Sequence, residues 1–115
     1  MNRVAVTGLG LVCALGNNVA ECWKKLAGGF CGSAPLSDPG SPPYKFARGA
    51  QARAFEPLDY FSDKDLILLE RFAQLGAVAA REAVAQSGLA FTGELADRSA
   101  VITGSSIGGQ FSEED

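Results

Sequence analysis

Histidine is absent from this chain of 115 residues. Histidine is the usual general base near neutral pH, and it completes both the Ser-His-Asp and the Cys-His catalytic arrangements. Neither arrangement can therefore be complete within these residues. We expect the chain to contain no catalytic residue of its own.

Long apolar runs and concentrated positive charge are also missing. No apolar run approaches the ~20 residues that a membrane-spanning helix needs. The net charge of −3 gives no electrostatic reason to bind nucleic acid or an anionic membrane. Met1 leads directly into a strand-like segment, so we expect no signal peptide and predict a cytoplasmic location.

Cysteine is scarce, with three residues in an odd-numbered set. Without a secretion signal, an odd number argues against a disulfide framework. The spacing is too wide for a Cys-x-x-Cys metal clip and no histidine is available, so no metal site and no cofactor are expected. Cys22 falls on an apolar helix face, and Cys13 has no basic neighbour in sequence that would lower its pKa. We expect structural roles for Cys13, Cys22 and Cys31.

The N-terminal third predicts a strand, a glycine turn and a helix. Arg3–Thr7 is a short β-branched run before Gly8, which is typical of a buried parallel strand. Asn18 is placed to cap the helix that follows, and Glu21 is placed to bond back to the backbone of the cap residue. The pair Gly28-Gly29 predicts the end of this helix.

The C-terminal half predicts a second unit of the same kind. A long helix is expected over 63–87, capped by Ser62, stopped at Gly88 and with a break near its first turns. A buried strand over Arg98–Thr103 then leads into a glycine turn, and the start of a helix is expected at 112–115. Small residues widen the apolar face of the long helix and permit close approach of a neighbouring element; they are Gly76, Ala77 and Ala80.

Between these units, the prolines of residues 33–46 predict a surface loop without regular structure. Ala50, Ala52 and Ala54 alternate with larger residues, which favours a strand, although alanine is a poor strand former. Strands that alternate with helices predict an α/β layered fold.

Three short motifs suggest chemistry, and each has a simpler interpretation. Gly8-Leu9-Gly10 follows a predicted strand as a dinucleotide fingerprint would, but Cys13 occupies the third glycine position. Gly104-Ser105-Ser106-Ile107-Gly108 matches the hydrolase nucleophile elbow, whose histidine and acid would have to lie elsewhere. Cys31-Gly32-Ser33 matches only the less specific half of the papain-type motif. Plain turns are favoured, and a nucleotide-binding α/β domain remains an alternative.

Taken together, these segments resemble the N-terminal part of the discrete β-ketoacyl-acyl-carrier-protein synthases, which have the thiolase fold. The resemblance covers nearly the whole chain and depends on the order and spacing of its parts. Those parts are Arg3–Gly10, Ala14–Asn17, Trp23, Leu26, Gly28, Asp59–Phe61, Arg71–Gln74, Ala79–Ala83, Ser87–Leu89 and Thr103–Gly109.

The resemblance implies a thiolase-like layered fold, of which residues 1–115 form an incomplete N-terminal part of the synthase domain. It implies decarboxylative Claisen condensation of an acyl thioester with malonyl-acyl-carrier protein, in fatty-acid or type II polyketide biosynthesis. The implied partners are acyl carrier protein and a second subunit, in a homodimer or a ketosynthase heterodimer. The family's Cys-His-His site would come after these residues, since its Thr-Ala-Cys context is absent.

The resemblance also implies two substrate-binding residues, Ile107 and Gly108, at the inner end of the acyl pocket near the dimer interface. The family's turn usually reads Gly-Ile-Gly-Gly, whereas Ser106 precedes Ile107 here. A second hypothesis is a non-catalytic partner of a ketosynthase, like the chain-length factors that lack the cysteine. The residue at the later nucleophile turn would separate the two hypotheses.

Overall fold

The computed structural model describes residues 3–36, 45–106 and 108. Within them, no helix is both long and apolar enough to cross a membrane. The elements in chain order are α1 (Val19–Ala27), β1 (Ala34–Pro35), β2 (Arg48–Gly49), a 3₁₀ turn (Pro57–Asp59), α2 (Asp63–Leu68), α3 (Arg71–Ser87) and α4 (Glu94–Asp97).

Helix α1 begins and ends where the sequence predicts. The side chain of Asn18 accepts a hydrogen bond from the Glu21 N–H at 2.9 Å. The Glu21 carboxylate accepts from the N–H of Asn17 at 3.1 Å, one residue before the expected cap residue. Gly29 follows the helix with a left-handed φ of 73°, which suits glycine.

The predicted long helix is two helices with a break between them. Ser62 and Asp65 form a reciprocal capping box at the start of α2. Leu69 and Glu70 adopt extended backbone, and α3 starts at the next residue. The break near the first turns is therefore confirmed, as is the left-handed Gly88 at the end of α3, with φ of 66°.

The core lies between α3 and the segment before α2. Phe55, Phe61 and Val78 are buried together. The rings of Phe55 and Tyr60 stack in parallel with centroids 5.1 Å apart. Partly buried residues surround this cluster: Val12, Ala52, Leu66, Leu69, Leu75 and Ala77.

Two arginines of α3 fix the aromatic segment to the helix. The Arg71 guanidinium lies 4.6 Å from the centroid of the Phe55 ring and donates to the Phe55 carbonyl at 3.2 Å. The Arg81 guanidinium lies 4.7 Å from the Phe61 ring and donates to the Tyr60 carbonyl at 3.0 Å. Each arginine therefore combines a cation–π contact with a hydrogen bond to the same segment.

The N-terminal glycines lie directly against α3. A Cβ atom added at Gly10 would overlap the carbonyl oxygen of Ala79, and one added at Gly8 would overlap that of Ala83. The helix presents alanine at both contacts, so backbone meets backbone with little side chain between. The close approach is at Ala79 and Ala83, whereas Gly76 and Ala80, two of the small residues for which the sequence predicts it, are exposed.

Polar side chains of α3 hold the same N-terminal segment in place. Gln86 Oε1 accepts from the Leu9 N–H at 2.6 Å, and Glu82 Oε2 accepts from the Leu11 N–H at 3.0 Å. The other oxygen of Glu82 accepts from the N–H of Val19 at 2.9 Å. This last bond satisfies one of the free N–H groups at the start of α1.

The two predicted buried strands do not form among the described residues. Val4 and Val6 are 91% and 77% exposed, and Val101 and Ile102 are 92% and 93% exposed. Neither segment pairs within the part of the chain that the structure describes. A buried parallel strand needs neighbours along its edges and over its faces, and these residues supply none.

The first strand of the observed sheet lies in the loop predicted over residues 33–46, and the second strand lies just after that loop. β1 pairs antiparallel with β2, with Ala34 opposite Gly49 and Pro35 opposite Arg48. Pro35 is tolerated because a proline without an N–H can occupy an edge strand. The strand predicted over 50–55 is also wrong, since these residues turn beyond β2, and short alanine side chains offer little to a sheet face.

Candidate functional site

The glycine turn after residue 103 packs against the first turn of α3. A Cβ atom at Gly108 would lie 2.7 Å from Cε2 of Phe72 and 2.9 Å from the Ser105 hydroxyl oxygen. Only glycine fits this contact without displacement of the aromatic ring. Ile107, the other predicted substrate-binding residue, lies outside the described residues, as do residues 112–115 of the predicted helix start.

Phe72 is the residue of this contact that the sequence does not single out. It belongs to the apolar set of the predicted long helix, and nothing in its local pattern separates it from core residues. It is 49% exposed, so part of its ring is free to contact a ligand or another part of the protein. Its partner Gly108 is distant in sequence, so the pairing depends on the tertiary fold.

The structure supports neither a dinucleotide site at Gly8 and Gly10 nor a nucleophile elbow at residues 104–108. Gly8 and Gly10 lie against the backbone of α3. Their lack of a side chain therefore allows close packing with the helix, and it does not indicate a phosphate-binding turn. Residues 98–103, which precede the match to a nucleophile elbow, form no strand within the described ranges, so the structure does not show the strand-to-helix turn of that motif. Ser105 and Ser106 are exposed, and these 115 residues supply no histidine to activate them.

An open, mostly apolar cleft of about 660 Å³ lies between the loop before α1 and the core side of α3. Cys13 and Cys31 both lie on its wall. The remaining lining residues are Val12, Ala14, Leu15, Gly32, Ser33, Ala50, Ala52 and Leu75.

Cys13 has a polar environment that the sequence does not reveal. Its sulfur accepts a hydrogen bond from the Leu15 N–H at 3.4 Å and lies 3.4 Å from the sulfur of Cys22. The Leu15 N–H lowers the pKa of the Cys13 thiol, as do the Cys22 thiol and the positive charge of Lys25, while burial acts the other way. The expectation that Cys13 has no basic neighbour is therefore wrong.

Cys22 is buried on α1, as its place on the apolar face predicts, with 3% of its surface exposed. Burial raises the pKa of the Cys22 thiol, and its hydrogen bond with Cys13 raises it further. Its sulfur also lies 3.3 Å from the carbonyl oxygen of Gly16. Cys31 is exposed, so the three cysteines occupy three different environments.

Comparison with known proteins identifies the family. The family model described as "Beta-ketoacyl synthase, N-terminal domain" matches residues 1–115. The chain belongs to the β-ketoacyl synthase family, and it corresponds to the N-terminal domain.

Curated relatives agree with this membership. The chain is 34% identical over 107 residues to "3-oxoacyl-[acyl-carrier-protein] synthase 2" of Staphylococcus aureus (strain N315). Proteins of the same name from Coxiella burnetii (strain RSA 493 / Nine Mile phase I) and Vibrio harveyi are 38% and 35% identical over 109 and 107 residues. Each match covers 93% of this chain and 26% of the relative, so the chain spans about a quarter of their length.

Proposed function

We propose that the protein containing this domain is a β-ketoacyl-acyl-carrier-protein synthase of fatty-acid or type II polyketide biosynthesis. It would condense an acyl thioester with malonyl-acyl-carrier protein, with loss of carbon dioxide. The observation that carries the proposal is the family match over the whole chain. The names of the relatives, which are synthases acting on acyl-carrier-protein substrates, support it.

The condensation needs an activated thiolate and preorganised donors for the negative charge that develops on the thioester oxygen and the enolate. These residues contain no histidine. Cys22 is buried with a raised pKa, which disfavours a nucleophilic role. We therefore assign no catalytic residue here, and the nucleophile and the two histidines would lie in another part of the protein.

The exposed strand-like segments are consistent with a domain that is completed by another part of the protein. Val4, Val6, Val101 and Ile102 are apolar and almost fully exposed. In the proposed thiolase-like layered fold, neighbouring strands from the rest of the protein would cover them, so residues 1–115 would be an incomplete part of the synthase domain. Acyl carrier protein would be the substrate-delivering partner, and the protein would work in the cytoplasm as a homodimer or ketosynthase heterodimer.

The test is a condensation assay on the whole protein with acyl- and malonyl-acyl-carrier protein, read as β-ketoacyl product and carbon dioxide release. Turnover supports the proposed activity. Product that appears only when a separate ketosynthase is added indicates the chain-length-factor alternative. The 115-residue chain alone is the matched control, and it should lose several orders of magnitude in rate because the nucleophile and oxyanion donors are missing. Turnover by that chain at an ordinary enzymatic rate would contradict our assignment of catalysis to other residues.

We further propose that Ile107 and Gly108 line the inner end of the acyl pocket, with Ile107 setting its depth. The tight contact of Gly108 with Phe72 supports this, because it holds the turn close to α3. A β-branched side chain next to glycine has no bulky neighbour, so its own size would decide how far an acyl chain reaches.

The Ile107→Phe variant of the whole protein tests this assignment. Overpacking of ~1–3 kcal/mol should reduce acylation by long acyl chains about ten- to hundredfold. Short chains, which do not reach the inner end, should react at nearly the wild-type rate. Ile107→Val is the conservative control. An equal loss at all chain lengths would mean that Ile107 is an ordinary core residue.

A further inference from the structure

The contact between the thiols of Cys13 and Cys22 has no part in the proposed condensation. Their sulfur atoms lie 3.4 Å apart, one on the loop before α1 and one on α1 itself. We propose that this pair is an oxidation site, in which a hydroperoxide converts the two thiols into a reversible Cys13–Cys22 disulfide. The proposal is independent of the enzymatic activity.

The local fold holds the two sulfurs together. Two backbone hydrogen bonds close the loop, from the Cys13 N–H to the Gly16 carbonyl at 2.9 Å and from the Gly16 N–H to the Cys13 carbonyl at 3.2 Å. The loop also lies tightly on α1, since a Cβ atom at Gly16 would lie only 2.6 Å from that of Glu21. The two sulfur atoms would have to move closer by little more than 1 Å to reach the S–S bond length of about 2.05 Å.

The two thiols differ in the way a nucleophile and a resolving thiol should differ. Cys13 lies on the wall of the 660 Å³ cleft, so a small oxidant can reach it. Its sulfur accepts the Leu15 N–H, a bond that favours the thiolate. Cys22 is buried behind it and is directly in contact with its sulfur. Attack on the peroxide is thus assigned to Cys13, and the second step to Cys22.

The reaction balances with one hydroperoxide for each disulfide. The Cys13 thiolate attacks one peroxide oxygen, the O–O bond breaks, and the leaving oxygen takes a proton to become water or an alcohol. Cys13 is then a sulfenic acid. The Cys22 sulfur attacks the Cys13 sulfur, the S–O bond breaks, and the hydroxyl leaves as water with the Cys22 proton. The two thiols together supply the two electrons that reduce the peroxide.

The sequence allows a clean assay on the whole protein. Arg3 and Lys24 are trypsin sites, so one peptide, Val4–Lys24, contains both Cys13 and Cys22, while Cys31 falls in the peptide Leu26–Lys45. The folded protein is treated with hydrogen peroxide, quenched in denaturant with a thiol-alkylating reagent, and digested. The expected product is a Val4–Lys24 peptide that carries no alkyl group and is about 2 Da lighter than its reduced form, because two hydrogens are lost. A dithiol reductant should restore both alkylation sites.

Two variants identify the roles. With Cys22→Ser, Cys13 should accumulate as a sulfenic acid that a 1,3-diketone reagent traps. With Cys13→Ser, Cys22 should remain reduced. Cys31→Ser is the matched control and should leave the disulfide yield unchanged.

The wild-type peptide map decides the proposal even if a variant fails to fold. A Val4–Lys24 peptide that remains fully alkylatable while Cys31 is oxidised would overturn it, as would a disulfide between Cys13 and Cys31.

Discussion

The surroundings of α3 and the two strand-like segments differ sharply in how they are packed. Around α3, the core of Phe55, Phe61 and Val78 is buried, and Gly10 meets the helix backbone directly. The segments around Val6 and Ile102 are exposed although they are among the most apolar in the chain. The cluster of Phe55, Phe61 and Val78 is therefore covered by residues of this domain, whereas the two strand-like segments, like Ile67 and Leu68 of α2, are left exposed.

The largest expected effect concerns stability of the chain in isolation. Burial of Val4, Val6, Val101 and Ile102 at ~2 kcal/mol each would contribute about 8 kcal/mol to the whole protein. The typical stability of a domain is about 5–15 kcal/mol, so the isolated chain should unfold easily or self-associate. Thermal melting and sedimentation of the 115-residue chain, beside the whole protein, measure this. A sharp, cooperative melt of the dilute monomer would show that the exposed strand-like segments do not destabilise the isolated chain.

A smaller effect is expected where the N-terminal turn of Gly8 and Gly10 packs against α3. In the whole protein, Gly10→Ala should reduce the free energy of unfolding by about 1–3 kcal/mol, since the new methyl group meets the Ala79 carbonyl. Gly76→Ala is the matched control on the same helix. A Cβ there meets nothing within 4 Å among the described residues, and alanine in a helix is more favourable by about 0.5–1 kcal/mol. Chemical denaturation gives both values, and equal effects of the two changes would contradict the close packing.

Loss of the α1 cap should cost less again. Asn18→Ala removes the acceptor of the Glu21 N–H and should reduce stability by about 1 kcal/mol. Asn18→Asp keeps an acceptor at the same place and should be nearly neutral. The measurement is the denaturation midpoint of the whole protein. If Asn18→Asp is as destabilising as Asn18→Ala, the cap hydrogen bond does not stabilise the helix.

The smallest effect is a pH dependence at the start of α2. The Ser62 hydroxyl and then the Ser62 N–H lower the pKa of the Asp65 carboxyl. A carboxyl with a folded-state pKa below its unfolded value contributes stability above about pH 4, and that contribution disappears as the pH falls through the folded-state pKa. The wild type should thus lose slightly more stability between pH 5 and 3 than Asp65→Asn. Parallel melting curves for the two proteins would contradict this.

The features that sequence predicts well are those decided by neighbours along the chain. The Asn18 cap and the Ser62 capping box join residues three positions apart, and Gly88 adopts its left-handed conformation because only glycine does so without strain. The same local reasoning indicates the break between α2 and α3. Burial is different, because Arg3–Thr7 has the composition of a buried strand whether or not its neighbours are present.

The candidate sites show the same limit. Gly108 is conspicuous in the sequence, but its contact with Phe72 joins residues on separate elements and has no local signature. The pKa of the Cys13 thiol is lowered first by the N–H of Leu15, which depends on the loop conformation, and only in small part by the nearby charge of Lys25. Sequence predicts which residues are unusual, whereas their partners depend on the tertiary fold.

The double role of Glu82 has a consequence for the order of events during synthesis. Its carboxylate accepts from Leu11 and Val19, residues that precede it by 71 and 63 positions. Helix α1 can nucleate as soon as it leaves the ribosome, because its cap is local. Its docked position is complete only after Glu82 has also emerged, and at about 5–20 residues per second that delay is several seconds. During this interval the N-terminal segment is not yet bound to α3. A chaperone that binds apolar extended chain would compete with α3 for it.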